Sequence, residues 1–223
     1  MASMAKPLIV LNFKAYEESL GEKAVRMAQS AERVGKEMGV EIVVCPQPLD
    51  LHRVASKVAI PVYAQHTDGV ALGAFTGHVT AKAVKEAGAR GTLLNHSERR
   101  LRTDELDAAV KEARAAGLKV IICANTPAAS RAVAGLEPDF VAIEPPELIG
   151  SGIPVSKSKP EVVKSAVEAV RAGSPKVGVL CGAGISKAED VKAAMALGTA
   201  GVLLASGVVK APNPEKALRE LMP

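Results

Sequence analysis

The stretch AIEPPELIGSG, residues 142–152, places the carboxylate Glu144 at the end of an apolar run. Two prolines and then two glycines follow it. A carboxylate is costly to bury unless it is paired or put to use. Other apolar runs also end in polar residues: Asn12 and Lys14 in NFK, Gln65 in AQHT, and Asn95, His96 and Glu98 in NHSERR. Two further runs end in glycine-rich turns, CGAGI with Gly182 and Gly184, and LASG with Ala205, Ser206 and Gly207. These residue types suit a small phosphorylated carbonyl compound. A carboxylate in an apolar rim can take a proton from carbon. An imidazole can donate a hydrogen bond to a carbonyl oxygen that gains enolate charge. The Lys14 ammonium offers a fixed positive charge near that oxygen and the phosphate. Glycine turns let backbone N–H groups approach an anion closely, Ser206 adds a hydroxyl, and SGVVKA can open a short helix toward it. Taken singly, each residue has an ordinary reading: a rim ion pair, a capping histidine, a solvated lysine, plain turns. His52, His66 and His78 keep that ordinary reading. The chemical reading gains weight because four strand ends carry fitting types at once.

Those residues need a scaffold that brings distant strand ends together. The apolar runs are LIVLNF, EIVVC, VYAQ, GTLLN, VIICA, FVAIE, VGVLCG and GVLLAS. They are short, β-branched and without clean alternation, as strands of a parallel sheet buried on both faces are. Between them lie segments with helical spacing. The first places Leu20, Ala24, Met27, Ala28, Ala31, Val34 and Met38 on one face. TAKAVKEAG, DELDAAVKEARAAG, KPEVVKSAVEAVRAG and SKAEDVKAAMALG read likewise. Gly39, Gly88, Gly117, Gly173 and Gly198 follow such segments, where a helix ends at positive φ. Ser186 with Glu189 reads as a capping box, and Thr126 before Pro127 as a cap and first helical residue. Eight strand–helix units at about 28 residues each predict a closed (β/α)₈ barrel, with chemistry at the C-terminal strand ends. An open doubly wound sheet is the alternative, and no G-x-G-x-x-G follows the first strand to support it. The expected organisation is one domain over residues 1–223, with residues 1–5 set aside as a disordered N-terminus or cloning scar.

Composition narrows the partners. The 223 residues carry a formal net charge of +4 without a basic block, which argues against nucleic acid and suits a small anion. Tryptophan is absent and aromatics make up 2%, so the core must be aliphatic. Cys45, Cys123 and Cys181 lie in apolar runs without C-x-x-C spacing, which predicts buried thiols, no metal site and a reducing, cytoplasmic setting. No apolar run is long enough to span a bilayer.

NFK, NHSERR and AIEPPELIGSG, in this order on the first, fourth and sixth strands, resemble the triosephosphate isomerase family, and the short EPPELIG form resembles its archaeal branch. The likeness covers essentially the whole chain. It implies a TIM barrel that interconverts dihydroxyacetone phosphate and D-glyceraldehyde 3-phosphate through an enediolate, in glycolysis and gluconeogenesis, without a cofactor. It implies that Glu144 is the base, that His96 polarises the carbonyl, and that Asn12 and Lys14 bind substrate with Glu98 in support. It also implies substrate contacts at Ile149, Gly150, Gly184, Ala205 and Ser206, and a lid of which Pro145 and Pro146 form the stiff hinge. The family is itself a well-known case of a histidine kept neutral at a helix N-terminus, and a helix starting near Ser97 would fit it. The chain departs from the common family pattern at Glu147, Cys181 and Gly184, where many members carry tryptophan, tyrosine and serine. Those side chains latch the closed lid and touch the phosphate.

The alternatives are another sugar-phosphate barrel enzyme, which would need a metal cluster or a Schiff-base lysine, and a non-catalytic barrel that binds a phosphorylated metabolite. The link from VIICA to FVAIE is short and predicts a shortened fifth helix, Pro127 to about Gly135, with apolar surface left uncovered beside it. The loop GAFTGHVT resembles the one through which family members pair. Two contact surfaces predict a homotetramer, a dimer of dimers.

Overall fold

The structure, a computed structural model, describes residues 6–145, 154–182 and 184–222. Its strands are β1 Leu8–Asn12, β2 Glu41–Cys45, β3 Tyr63–Ala64, β4 Gly91–Leu94, β5 Lys119–Ala124, β6 Phe140–Ile143, β7 Gly178–Gly182 and β8 Gly201–Leu204. All pair in parallel, in the order β2-β1-β8-β7-β6-β5-β4-β3. A parallel bridge between Val44 and Val62 joins β2 to the chain entering β3, where the Val44 N–H donates to Pro61 O at 3.1 Å. The two sheet edges therefore meet, and the sheet closes into a (β/α)₈ barrel. β3 is only two residues long, which leaves this seam thin.

The surrounding helices are α1 Glu22–Met38, α2 Leu51–Ala55, α3 Ala81–Glu86, α4 Thr103–Ala115, α5 Pro127–Ala134, α6 Val155–Ser158, α7 Pro160–Gly173, α8 Ala188–Ala196, α9 Ser206–Val209 and α10 Pro214–Glu220. Alternate strand residues separate into two cores. Val10, Val43, Leu93, Ile121, Ala142, Leu180 and Leu203 fill the barrel interior, while Ile9, Leu11, Ile42 and Ile122 pack outward with the helices. At the N-terminal rim, bulky residues face glycines on the next strand: Tyr63 opposite Gly91 and Phe140 opposite Gly178. A Cβ on either glycine would sit 2.5 Å from the opposing ring, so only glycine leaves room for it.

Sequence signals at the helix ends hold in part. Thr126 Oγ1 accepts the Ala129 N–H at 3.1 Å, and Gly39, Gly88, Gly117 and Gly198 adopt positive φ. Gly173 does not; it stays within α7, and Ser174 makes the cap through its N–H to Val170 O at 2.7 Å. Asp190 rather than Glu189 caps α8, because its carboxylate reaches the N–H groups of Ser186 and Lys187. Leu20 precedes α1 and Met38 ends it; both are exposed rather than on the buried stripe. α5 is short, eight residues, as expected. The apolar surface expected beside it is made of small residues rather than large ones. Among the described residues the exposed large apolar side chains are Leu20, Met38, Leu49, Leu72 and Phe75, none of them on α5. The exposed α5 positions include Ala128 and Ala132.

Leu72 and Phe75 belong to the loop between β3 and α3. Asp68 clamps its base, donating its N–H to Val79 O (2.8 Å) and accepting the Val79 N–H on Oδ2 (2.6 Å). His66 Nε2 meets Asp68 Oδ1 at 3.0 Å. Burial lowers the His66 pKa, against the pull of Asp68. Asp68 is itself held below its ordinary value: burial acts upward but is outweighed by the bonds from His66 and the Val79 amide.

Candidate active site

The polar strand ends converge on one mouth. At the end of β1, Lys14 has φ 50°, a left-handed conformation that costs a non-glycine residue about 1–3 kcal/mol. Its neighbours hold it there. Asn12 Oδ1 accepts the Lys14 N–H at 2.9 Å, and Gln65 Nε2 donates to Lys14 O (3.0 Å) and Cys45 O (2.9 Å). The turn delivers the Lys14 ammonium to Glu98 Oε1 at 2.7 Å. Asn12 is buried, and the Glu98 side chain is 56% exposed, so Glu98 orients the lysine from the rim.

β4 leads into a second left-handed residue, Asn95 at φ 58°. Its side chain ties the loop down, donating to Cys123 O at 3.0 Å and accepting the Leu101 N–H at 3.0 Å. No helix begins at Ser97. A single turn closes there, with the Arg99 N–H on His96 O at 2.8 Å, and α4 starts only at Thr103. That turn aims the Glu98 N–H at His96 Nδ1, 3.2 Å away. A backbone N–H can only donate, so Nδ1 accepts this bond, and Nε2 is the ring nitrogen that faces Glu144.

Glu144 follows β6, its N–H bonded to Ala124 O at 2.9 Å and its side chain buried. Gly182 at the end of β7 makes room for it, since a Cβ there would lie 2.5 Å from Glu144 Cγ. The buried thiols of Cys123 and Cys181 lie beside the carboxylate. Burial, reinforced by the Glu144 charge, pushes both up, Cys181 to about 12, so they remain neutral. Among the described residues Glu144 Oε2 has no hydrogen-bond partner, a condition that costs about 1–3 kcal/mol when a polar atom is buried. His96 Nε2 is 3.5 Å from it.

The turn of Gly184 (φ 73°), Ile185 and Ser186 packs beside Ala205, Ser206 and Gly207, and with this pair they line a cavity of ≈ 100 Å³. The first amides of a helix have no acceptor within it, and α9 opens at Ser206, which lines this cavity. Asn12, Lys14, His96, Glu144, Gly184, Ala205 and Ser206 thus all line one space, and Glu98 holds the lysine. Ile149 and Gly150, with Pro146, Glu147 and Gly152, lie outside the described residues. Tyr16, which the sequence did not single out, forms part of the wall, with the Lys210 ammonium 4.8 Å from its ring centre. Its spacing of two from Lys14 was the available signal. Among the described residues no group of three or more metal-ligating side chains occurs.

This geometry can be set beside known proteins. A model described as triosephosphate isomerase matches residues 7–221. The chain belongs to the triosephosphate isomerase family. Curated triosephosphate isomerases resemble it closely: that of Methanosarcina barkeri is 57% identical over 98% of this chain and 99% of its own length. That of Methanothermus fervidus is 55% identical over the same shares, and that of Methanocaldococcus jannaschii 54% identical over 96% and 98%. As in the family, the chain is an isomerase that interconverts dihydroxyacetone phosphate and glyceraldehyde 3-phosphate. No helix among the described residues is long and apolar enough to cross a membrane.

Proposed function

We propose that Glu144 is the base of this isomerisation and His96 its electrophile. Glu144 takes a proton from the carbon next to the carbonyl, and the electron pair moves onto the carbonyl oxygen to give an enediolate. The same carboxylate returns the proton to the neighbouring carbon. His96 donates its Nε2–H to the oxygen that gains charge, an interaction that strengthens as the charge forms. The Lys14 ammonium stabilises the same oxygen, and Asn12 keeps the lysine in its strained turn. The Gly184–Ser186 turn and the head of α9 take the phosphate at the other end.

The observation that supports this most is Glu144 Oε2, buried, without a hydrogen-bond partner among the described residues and 3.5 Å from His96 Nε2. A carboxylate oxygen without a partner, beside a donor, is the arrangement a proton-transfer site requires. Glu144→Gln tests it. Turnover in a coupled assay on D-glyceraldehyde 3-phosphate is expected to fall about 10²–10⁴-fold or more, as for loss of a positioned base. Near-native turnover would sink the assignment.

The reading extends to a single-domain, cytoplasmic enzyme of glycolysis and gluconeogenesis that needs no cofactor. It also extends to assembly. Exposed Leu72 and Phe75 on the β3–α3 loop support pairing through that loop. A tetramer of two such dimers needs a second surface, and the small exposed Ala128 and Ala132 of α5 allow a neighbour to approach closely. Sedimentation equilibrium at micromolar concentration tests both: one subunit mass defeats the oligomer, and two defeats the tetramer.

A further inference from the structure

Asp190 is the third residue of α8 and is only 1% exposed. An acidic residue there ordinarily caps its own helix. This one does more. Its Oδ2 accepts the Lys187 N–H and also the Ser186 N–H, both at 3.1 Å, and Ser186 belongs to the turn that lines the cavity. Its Oδ1 takes the Lys157 ammonium at 2.6 Å, reaching across to α6. Its backbone carbonyl accepts the buried Ser156 hydroxyl at 3.2 Å, also from α6. Burial on its own would raise the Asp190 pKa; the Lys157 ammonium and the two amides outweigh it and hold the carboxyl below its ordinary value. The carboxylate is therefore charged at neutral pH and braced from two sides.

We propose that Asp190 and Lys157 form a positioning pair for the anion end of the site. Neither side chain lines the cavity, so they act through the backbone of the Gly184–Ser186 turn. Asp190 fixes the turn by its amides, and Lys157 fixes Asp190 by its charge. At Gly184 the turn carries no side chain, so at that position the backbone meets the anion. Its placement then depends on what anchors it. The inference rests on the reading of this end as the phosphate site.

Because the pair serves only the anion end, its loss must discriminate between substrates with and without phosphate. The test compares Lys157→Met and Asp190→Asn with the unaltered protein on two substrates. Turnover of D-glyceraldehyde 3-phosphate is followed in a coupled assay. Proton abstraction from D-glyceraldehyde is followed by NMR as deuterium incorporation in D₂O. The ratio of the two kcat/KM values is expected to fall about tenfold or more in Asp190→Asn, and less in Lys157→Met, with inorganic phosphate a weaker competitive inhibitor in both. Equal losses on both substrates would mean a merely structural role and overturn the proposal, as would an unchanged ratio. Lys157 is half exposed, so its variant stands as a folded test even where Asp190→Asn loses stability. Failure of the unaltered protein to turn over the phosphorylated substrate would count against the site reading instead.

Discussion

Replacing Gly182 by alanine should disable the enzyme while leaving the fold in place. The new Cβ would lie 2.5 Å from Glu144 Cγ, 3.0 Å from Oε1 and 3.1 Å from Cδ. Two carbons sit comfortably at about 3.5–4 Å, so one of them has to move by about 1 Å or more. Gly182 is not in a positive-φ conformation, so alanine meets no backbone penalty there. The collision is with Cγ, close to the Glu144 backbone, and rotation of the terminal carboxylate does not relieve it. Glu144 must change its first torsion or shift as a whole, and either takes its carboxylate off the line to His96. A misplacement of about 1 Å costs on the order of 10²-fold in turnover. Overpacking costs about 1–3 kcal/mol, which thermal unfolding measures independently. The coupled assay should show kcat down by that factor with a nearly unchanged KM. A turnover within about threefold of the original, in a protein of lowered melting temperature, would refute the view that glycine is there to seat the base.

His96→Gln keeps a donor but not its placement; kcat is expected to fall about 10²–10³-fold with little change in KM, as for loss of one oxyanion-type donor. Gly184→Val forces a side chain into φ 73°, and phosphate-bearing inhibitors should bind roughly tenfold or more weakly by calorimetry. Stability should fall as pH drops below about 6.5, because unfolded His66 binds a proton at its ordinary pKa while burial lowers the folded value. The unfolded state then holds more protons, so stability rises with pH through that window. Thermal melts from about pH 7.5 to about pH 5 should show this, and His66→Gln should flatten the curve.

The barrel and most of its mouth were legible because parallel strands buried on both faces leave an unbroken apolar signature. A polar residue at the end of such a run stands out, as Asn12, His96 and Glu144 do. What escaped was set by side chains reaching across the fold. Asp190 displaced Glu189 as the cap because its carboxylate is also claimed by Lys157, a contact between separate helices that local spacing does not encode. The helix expected at Ser97 gave way to one turn because Asn95 spends its side chain on Cys123 O and Leu101 N–H. The flank of α5 carries no exposed large apolar side chain because its outward positions include Ala128 and Ala132, which the length of the helix did not reveal.

The glycines facing Tyr63 and Phe140 at the N-terminal rim have a consequence for the chemistry at the opposite rim. They let two rings crowd into the interior at that end, where Leu8 also packs. The barrel is thereby a cup with a floor rather than a tube. The packed interior closes that end, so the mouth is the side from which solvent approaches the reacting carbons. Tyr63→Ala would hollow out part of that floor and lower the melting temperature through the cavity it leaves, while the interior side chains above it keep the mouth the route to the reacting carbons.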